Sequence, residues 1–91
     1  MKYVRIHVRG RVQGVGFRFF TQQLAMEHHV FGWVRNEDDG SVLIEATADD
    51  QDMKNFITQI KQGPSRFAKV QEADVTKLKG DPGFTSFGIK G

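Results

Sequence analysis

A chain of 91 residues with no cysteine, a net charge of +2 and 26% charged residues sets narrow limits. It has the length of one domain, 1–91, burying roughly 60–65% of its unfolded surface around one modest core, for which eight Phe residues supply bulk. Disulfides, thiolate chemistry and cysteine-based metal sites are excluded, and neither a membrane span nor a signal peptide is visible, so a cytoplasmic, membrane-free protein is expected.

Residues 2–9 alternate, with Val4, Ile6 and Val8 on one face and Tyr3, Arg5, His7 and Arg9 on the other, which predicts a half-buried strand. Residues 1–26 carry five basic groups and no acid, whereas the remainder holds eight basic and eleven acidic groups. An anionic substrate would be drawn to the basic end, although most such charges simply solvate a strand face.

Next comes Gly10-Arg11-Val12-Gln13-Gly14-Val15-Gly16-Phe17-Arg18. Its glycines allow a tight turn and close approach of the backbone to a ligand. Amides freed by the turn and by the first turn of the following helix converge where an anion binds well. Arg18 is placed to close a guanidinium fork over that anion.

From Phe17 the period becomes helical, with Phe17, Phe20, Leu24 and His28 spaced to line one face and Thr21 and Ala25 beside them. Val30 to Asn36 reads as a second strand, with Gly32 a bulge or a close-packing point. Asp39-Gly40 predicts a hairpin turn into a third strand, Ser41 to Ala48. Asp49-Asp50-Gln51-Asp52 then caps a helix carrying Met53, Phe56, Ile57 and Ile60, which Gly63-Pro64 stops. Val70 to Leu78 reads as a fourth strand, and Phe84 to Lys90 as a short closing strand with Phe87 and Ile89 inward. The predicted order is β-α-β-β-α-β with a short fifth strand. This is an α+β, ferredoxin-like sandwich: an antiparallel sheet with two helices on one face.

Several chemistries are absent by spacing. The glycine loop has no Gly-Lys-Ser/Thr, so it is no Walker A, and it lacks the third glycine of a dinucleotide fingerprint. His28 and His29 diverge by about 100° on a helix and His7 lies on a distant strand, so no metal site is expected. Asp49, Asp50 and Asp52 cap a helix and lack the rest of a calcium loop. RNA-recognition domains share the fold order, and Gly14, Gly16, Phe17 and Phe20 match their aromatic octamer. That octamer needs an open strand, whereas here the segment turns from strand to helix, so no nucleic acid is expected. Asn36 closes the second strand, where an Asn ordinarily initiates the turn through its side chain.

Taken together, Val8-Arg9-Gly10-Arg11-Val12-Gln13-Gly14-Val15-Gly16-Phe17-Arg18 and Gly32-Trp33-Val34-Arg35-Asn36, with Gly40 and Val42, closely resemble the two motifs of the acylphosphatase family. Gly63-Pro64 and Phe87-Gly88-Ile89 extend the resemblance over essentially the whole chain. One departure is Ala48, where the family usually has glycine; Glu37 stands where some members carry a hydroxyl residue and receives no role. The resemblance implies hydrolysis of the carboxyl–phosphate bond of acylphosphates, giving a carboxylate and inorganic phosphate. Arg18 would bind the phosphoryl group and Asn36 would orient the attacking water. The loop amides of Gln13, Gly14, Val15, Gly16, Phe17 and Arg18 would form the cradle, with no metal, cofactor or covalent intermediate. Inorganic phosphate is expected as product and competitive inhibitor, and a monomer as the default state. The alternatives are a phosphate-binding domain of this type that has lost turnover, and the RNA-binding module.

Overall fold

Alternation along the first ten structured residues builds β1 (Lys2–Arg11), which buries Val4, Ile6 and Val8. The computed structural model describes residues 1–91. In chain order, α1 (Phe17–Glu27), β2 (Phe31–Asn36), β3 (Val42–Ala48), α2 (Asp50–Gln62), β4 (Lys69–Lys77) and β5 (Phe87–Lys90) follow. The strands form one sheet in the order β4-β1-β3-β2-β5. β1 lies antiparallel between β3 and β4, with Ile6 opposite both Ile44 and Val75. β2 is antiparallel to β3 but parallel to β5. The sheet is therefore mixed, where a wholly antiparallel one was expected, because the chain reaches β5 by crossing back from the opposite edge.

Both helices lie on one face. Val4, Ile6 and Val8 of β1, Val34 of β2 and Val42, Ile44, Ala46 and Ala48 of β3 meet Phe17 and Ala25 of α1 and Met53, Phe56 and Ile60 of α2 in one apolar core. Phe17 and Phe56 are almost wholly enclosed, each side chain contributing about 1.5–3 kcal/mol of burial. The stripe that α1 turns inward is Phe17-Thr21-Ala25, at i, i+4 and i+8. Phe20 falls outside that narrow stripe and is 44% exposed, contrary to the expectation from its spacing, with its ring beside Gly16. Ile89 also stays 43% exposed, since β5 is an edge strand that α1 covers only in part.

The opposite face is polar and internally paired. Tyr3 and Arg5 both donate to the carboxylate of Glu45, and Arg9 donates to Asp74 and Glu72. Burial pushes the Glu45 carboxyl up, but the hydrogen bonds from Arg5 and Tyr3 outweigh it and hold the group below its ordinary value. Two of the four basic residues of β1, Arg5 and Arg9, are thus paired in place.

Gly32 is the close-packing point and not a bulge. Its φ is +150°, and a Cβ there would stand 1.9 Å from the Glu45 carbonyl oxygen; the β2–β3 register passes through it unbroken. The register shift lies instead between Arg9 and Gly10, after which β1 pairs with β4 for two more residues before the loop. Ala48 keeps its backbone out of the left-handed region and buries its methyl group in the core, so the glycine usual at this position is not needed here.

α1 ends one residue before His28. His28 is the cap, and His29 takes φ +56° while Val30 N–H donates to Ala25 O and His29 N–H to Met26 O. This is a Schellman closure with a β-carbon where glycine is favoured. His29→Gly is therefore expected to stabilise the protein by about 0.5–1 kcal/mol. In a thermal melt that appears as a Tm rise of about 2–6 °C.

Candidate active site

The two helices begin in opposite ways. At α2, the Asp49 carboxylate accepts the Asp52 N–H at 2.9 Å, and Asp50 and Asp52 place negative charge in the first turn. At α1, the N-cap is Gly16 with φ +77°, no side chain caps the turn, and the first turn contains no acid. With glycine at the cap the side-chain bond is forgone at a cost of about a few tenths of a kcal/mol. Gly14, with φ +73°, and Gly16 turn the chain from β1 into α1 within a few residues, leaving the main-chain N–H groups from Gln13 to Phe19 without acceptors inside the protein. Donors in such a row, at the positive end of a helix dipole, form a cradle for an anion.

The loop is held from both sides. Val12 is buried in the core, and the Ser65 hydroxyl, from the α2–β4 connection, donates to Val15 O at 2.8 Å. On the other side the Gln13 carboxamide donates to Glu37 O and to Ser41 O, both at 2.8 Å. Those two carbonyls belong to the turn that follows Asn36, so the loop and the end of β2 are one neighbourhood.

Asn36 closes β2 opposite Val42. Its Oδ1 is buried and receives no hydrogen bond from the protein. A buried amide oxygen without a donor is uncommon enough to need a reason. The turn-initiating role usual for such an Asn is filled by Asp39, which accepts both the N–H and the hydroxyl of Ser41. Glu37 is occupied by Arg35, whose Nε donates to its carboxylate at 3.0 Å.

Arg18 stands one residue into α1, and its Nη1 donates to the main-chain oxygen of Gly91. β5 runs parallel to β2 with Arg35 opposite Lys90, and Gly91 directly follows that last pair. The guanidinium is accordingly held at the β2 end of the cradle. The sequence predicts Arg18 turned over the loop, whereas here its fork is shared with the C-terminal backbone. Four of its five N–H donors stay free for another acceptor.

The predicted residues Gln13, Gly14, Val15, Gly16, Phe17, Arg18 and Asn36 are thus gathered at one edge of the sandwich. The bracing by Ser65 and by the Gln13 side chain has no local signal, because the partners lie 50, 24 and 28 residues away along the chain. His, Asp and Glu side chains do not assemble into a group of three able to hold a metal ion. No helix is long and apolar enough to cross a membrane.

These features define a ferredoxin-like α+β sandwich whose first strand–loop–helix junction presents unpaired amides beside an arginine and an unpartnered Asn. Residues 4–89 match the family model for acylphosphatase. An acylphosphatase of Oceanobacillus iheyensis is 50% identical over 90 residues, covering 99% of each chain. The crystal structure of acylphosphatase from Bacillus subtilis is similar with a TM-score of 0.95 at 42% identity, over 99% of both chains. The crystal structure of full-length HypF in the phosphate- and nucleotide-bound form contains a similar unit, with a TM-score of 0.90 and 30% identity; it covers 99% of this chain and 12% of that one. The chain belongs to the acylphosphatase family, enzymes that hydrolyse acylphosphates.

Proposed function

We propose that the chain hydrolyses acylphosphates with the phosphoryl group held by the amides of Gln13 to Arg18 and by the Arg18 guanidinium, and with the attacking water turned by Asn36. The observation that carries this reading is the meeting of two kinds of unsatisfied group. A row of N–H donors at the start of α1 is tied, through the Gln13 carboxamide, to the turn that directly follows a buried amide oxygen lacking a donor. An anionic phosphoryl group satisfies the first, and the O–H of a water satisfies the second.

The chemistry asks little more of the protein. Water oxygen bonds to phosphorus as the bond from phosphorus to the carboxyl oxygen breaks, and the electron pair leaves on the carboxylate. A carboxylate is a weak base and departs without a general acid. The proton released by the water passes to a phosphate oxygen, giving dihydrogen phosphate and the free carboxylate. Catalysis of a loose phosphoryl transfer is mainly positioning and charge stabilisation, which amides and one guanidinium supply. The unit acts as a monomer in the cytoplasm, on small acylphosphates, without metal or nucleic acid.

One assay tests this. Release of phosphate from benzoyl phosphate is expected to be unchanged by a chelator and to be inhibited competitively by inorganic phosphate. Dependence on a divalent ion would overturn the metal-free mechanism. Complete inactivity with retained phosphate binding would favour a binding domain that has lost turnover, and salt-sensitive RNA binding the third reading.

A further inference from the structure

The Gln13 side chain does something the cradle does not require. Its Nε2 carries two hydrogens, and both are spent on carbonyls of a single turn: Glu37 O and Ser41 O, each at 2.8 Å. Ser41 O also accepts the Glu37 N–H at 2.9 Å, so the two ends of the turn are tied to each other and to the loop through one carboxamide. The far end is anchored independently. Ser41 is 4% exposed, Asp39 accepts its N–H and hydroxyl, and its Oγ lies 2.7 Å from His7 Nε2. Arg9 donates to His7 Nδ1, which leaves Nε2 as the donor to Ser41. The Ser41 hydrogen bonds in turn hold the Asp39 carboxyl below its ordinary value.

The turn begins directly after Asn36, and the Gln13 N–H is one of the unpaired row. One residue therefore touches the cradle through its backbone and the Asn36 hairpin through its side chain. We infer that Gln13 is a positioning residue whose carboxamide sets the spacing between the phosphoryl cradle and Asn36, keeping the water that Asn36 holds in line with phosphorus. This rests on the roles proposed above for the loop and for Asn36. Only a planar amide of this length puts two donors from one neutral atom onto two carbonyls. Glu offers no donor when ionised, and Met has the length but no hydrogen bond. Without the clamp, the turn of Asp38, Asp39 and Gly40, all exposed, keeps its own Glu37–Ser41 and Gly40–Glu37 bonds but loses its tie to the loop. A misplacement of about 1 Å in a reacting geometry costs about 10²-fold in rate.

The test is a double-mutant cycle on purified protein with benzoyl phosphate. Gln13→Met is expected to lower kcat about 10- to 100-fold while KM and the inhibition constant of inorganic phosphate stay within about threefold. In the Asn36→Ala background the same change is expected to cost nothing further, because the residue it positions is gone. Equal losses in the two backgrounds, or a loss of phosphate affinity in place of kcat, would overturn the assignment. If Asn36→Ala alone keeps full turnover, the fault lies in the role given to Asn36, and the positioning role falls with it. Should the methionine variant not fold, the cycle is read on Gln13→Asn, whose amide is one methylene too short to reach both carbonyls, with the same outcomes.

Discussion

Replacing Arg18 with lysine is expected to lower kcat/KM for benzoyl phosphate by about 10²–10³-fold, although the charge is kept. The guanidinium is a planar fork held at the β2 end of the cradle by its bond to Gly91 and by its place in the first turn of α1. In the proposed role it reaches two oxygens of a phosphoryl group at once and follows the charge that spreads over the equatorial oxygens as the P–O bond loosens. An ammonium group is a point charge on a flexible stem and is more strongly hydrated, so it reproduces the Coulomb attraction but not the alignment. The inhibition constant of inorganic phosphate should rise as well, by about tenfold, because the same fork holds the product. Folding should be little affected, since the Arg18–Gly91 contact is exposed; steady-state kinetics and a thermal melt on the same preparation separate the two effects. Retention of more than about a tenth of wild-type kcat/KM would show that charge alone suffices and that the fork is not used.

Asn36→Ala is expected to act on a different quantity. Turnover should fall by about 10²–10³-fold, while the inhibition constant of inorganic phosphate stays within about twofold, because in the proposed role the side chain meets the water and not the phosphoryl oxygens. The structure makes the stability prediction unusual for a half-buried polar residue. Its Oδ1 has no partner inside the protein, so truncation removes a group that folding leaves unsatisfied, and Tm should hold or rise slightly. A variant that melts well below the wild type, or one that loses phosphate affinity in step with kcat, would return Asn36 to an ordinary turn-forming role. The pair is diagnostic together: Arg18 changes both binding and rate, whereas Asn36 changes rate alone.

Much of this architecture is legible in the residues. The alternation of Val4, Ile6 and Val8, the Asp49 cap and the Asp39-Gly40 turn each depend on contacts a few residues apart, and each reappears in the structure. Phe20 was misread because helical spacing states only that two residues share a side, not how wide the covered stripe is. That width depends on how α1 packs against β2 and β5, and it admits Phe17, Thr21 and Ala25 but not Phe20. Likewise Ile89 has the alternation of an inward residue, yet it lies on a strand whose outer edge nothing covers. The parallel pairing of β5 was equally out of reach, because a short closing strand can add to either neighbour by sequence alone.

For the site, the chain itself determined the cradle. Two glycines, a missing N-cap and an arginine one residue into a helix are local features, and the unpaired amides follow from backbone geometry at that junction. Tertiary structure alone decided what stands beside it. The sheet order carries the end of β2 to the loop, the parallel β5 brings Gly91 against Arg18, and the Gln13 side chain spans 24 and 28 residues to join loop and hairpin. Such contacts depend on strand order and register, which pair residues far apart in the chain, so no spacing within either motif can specify them.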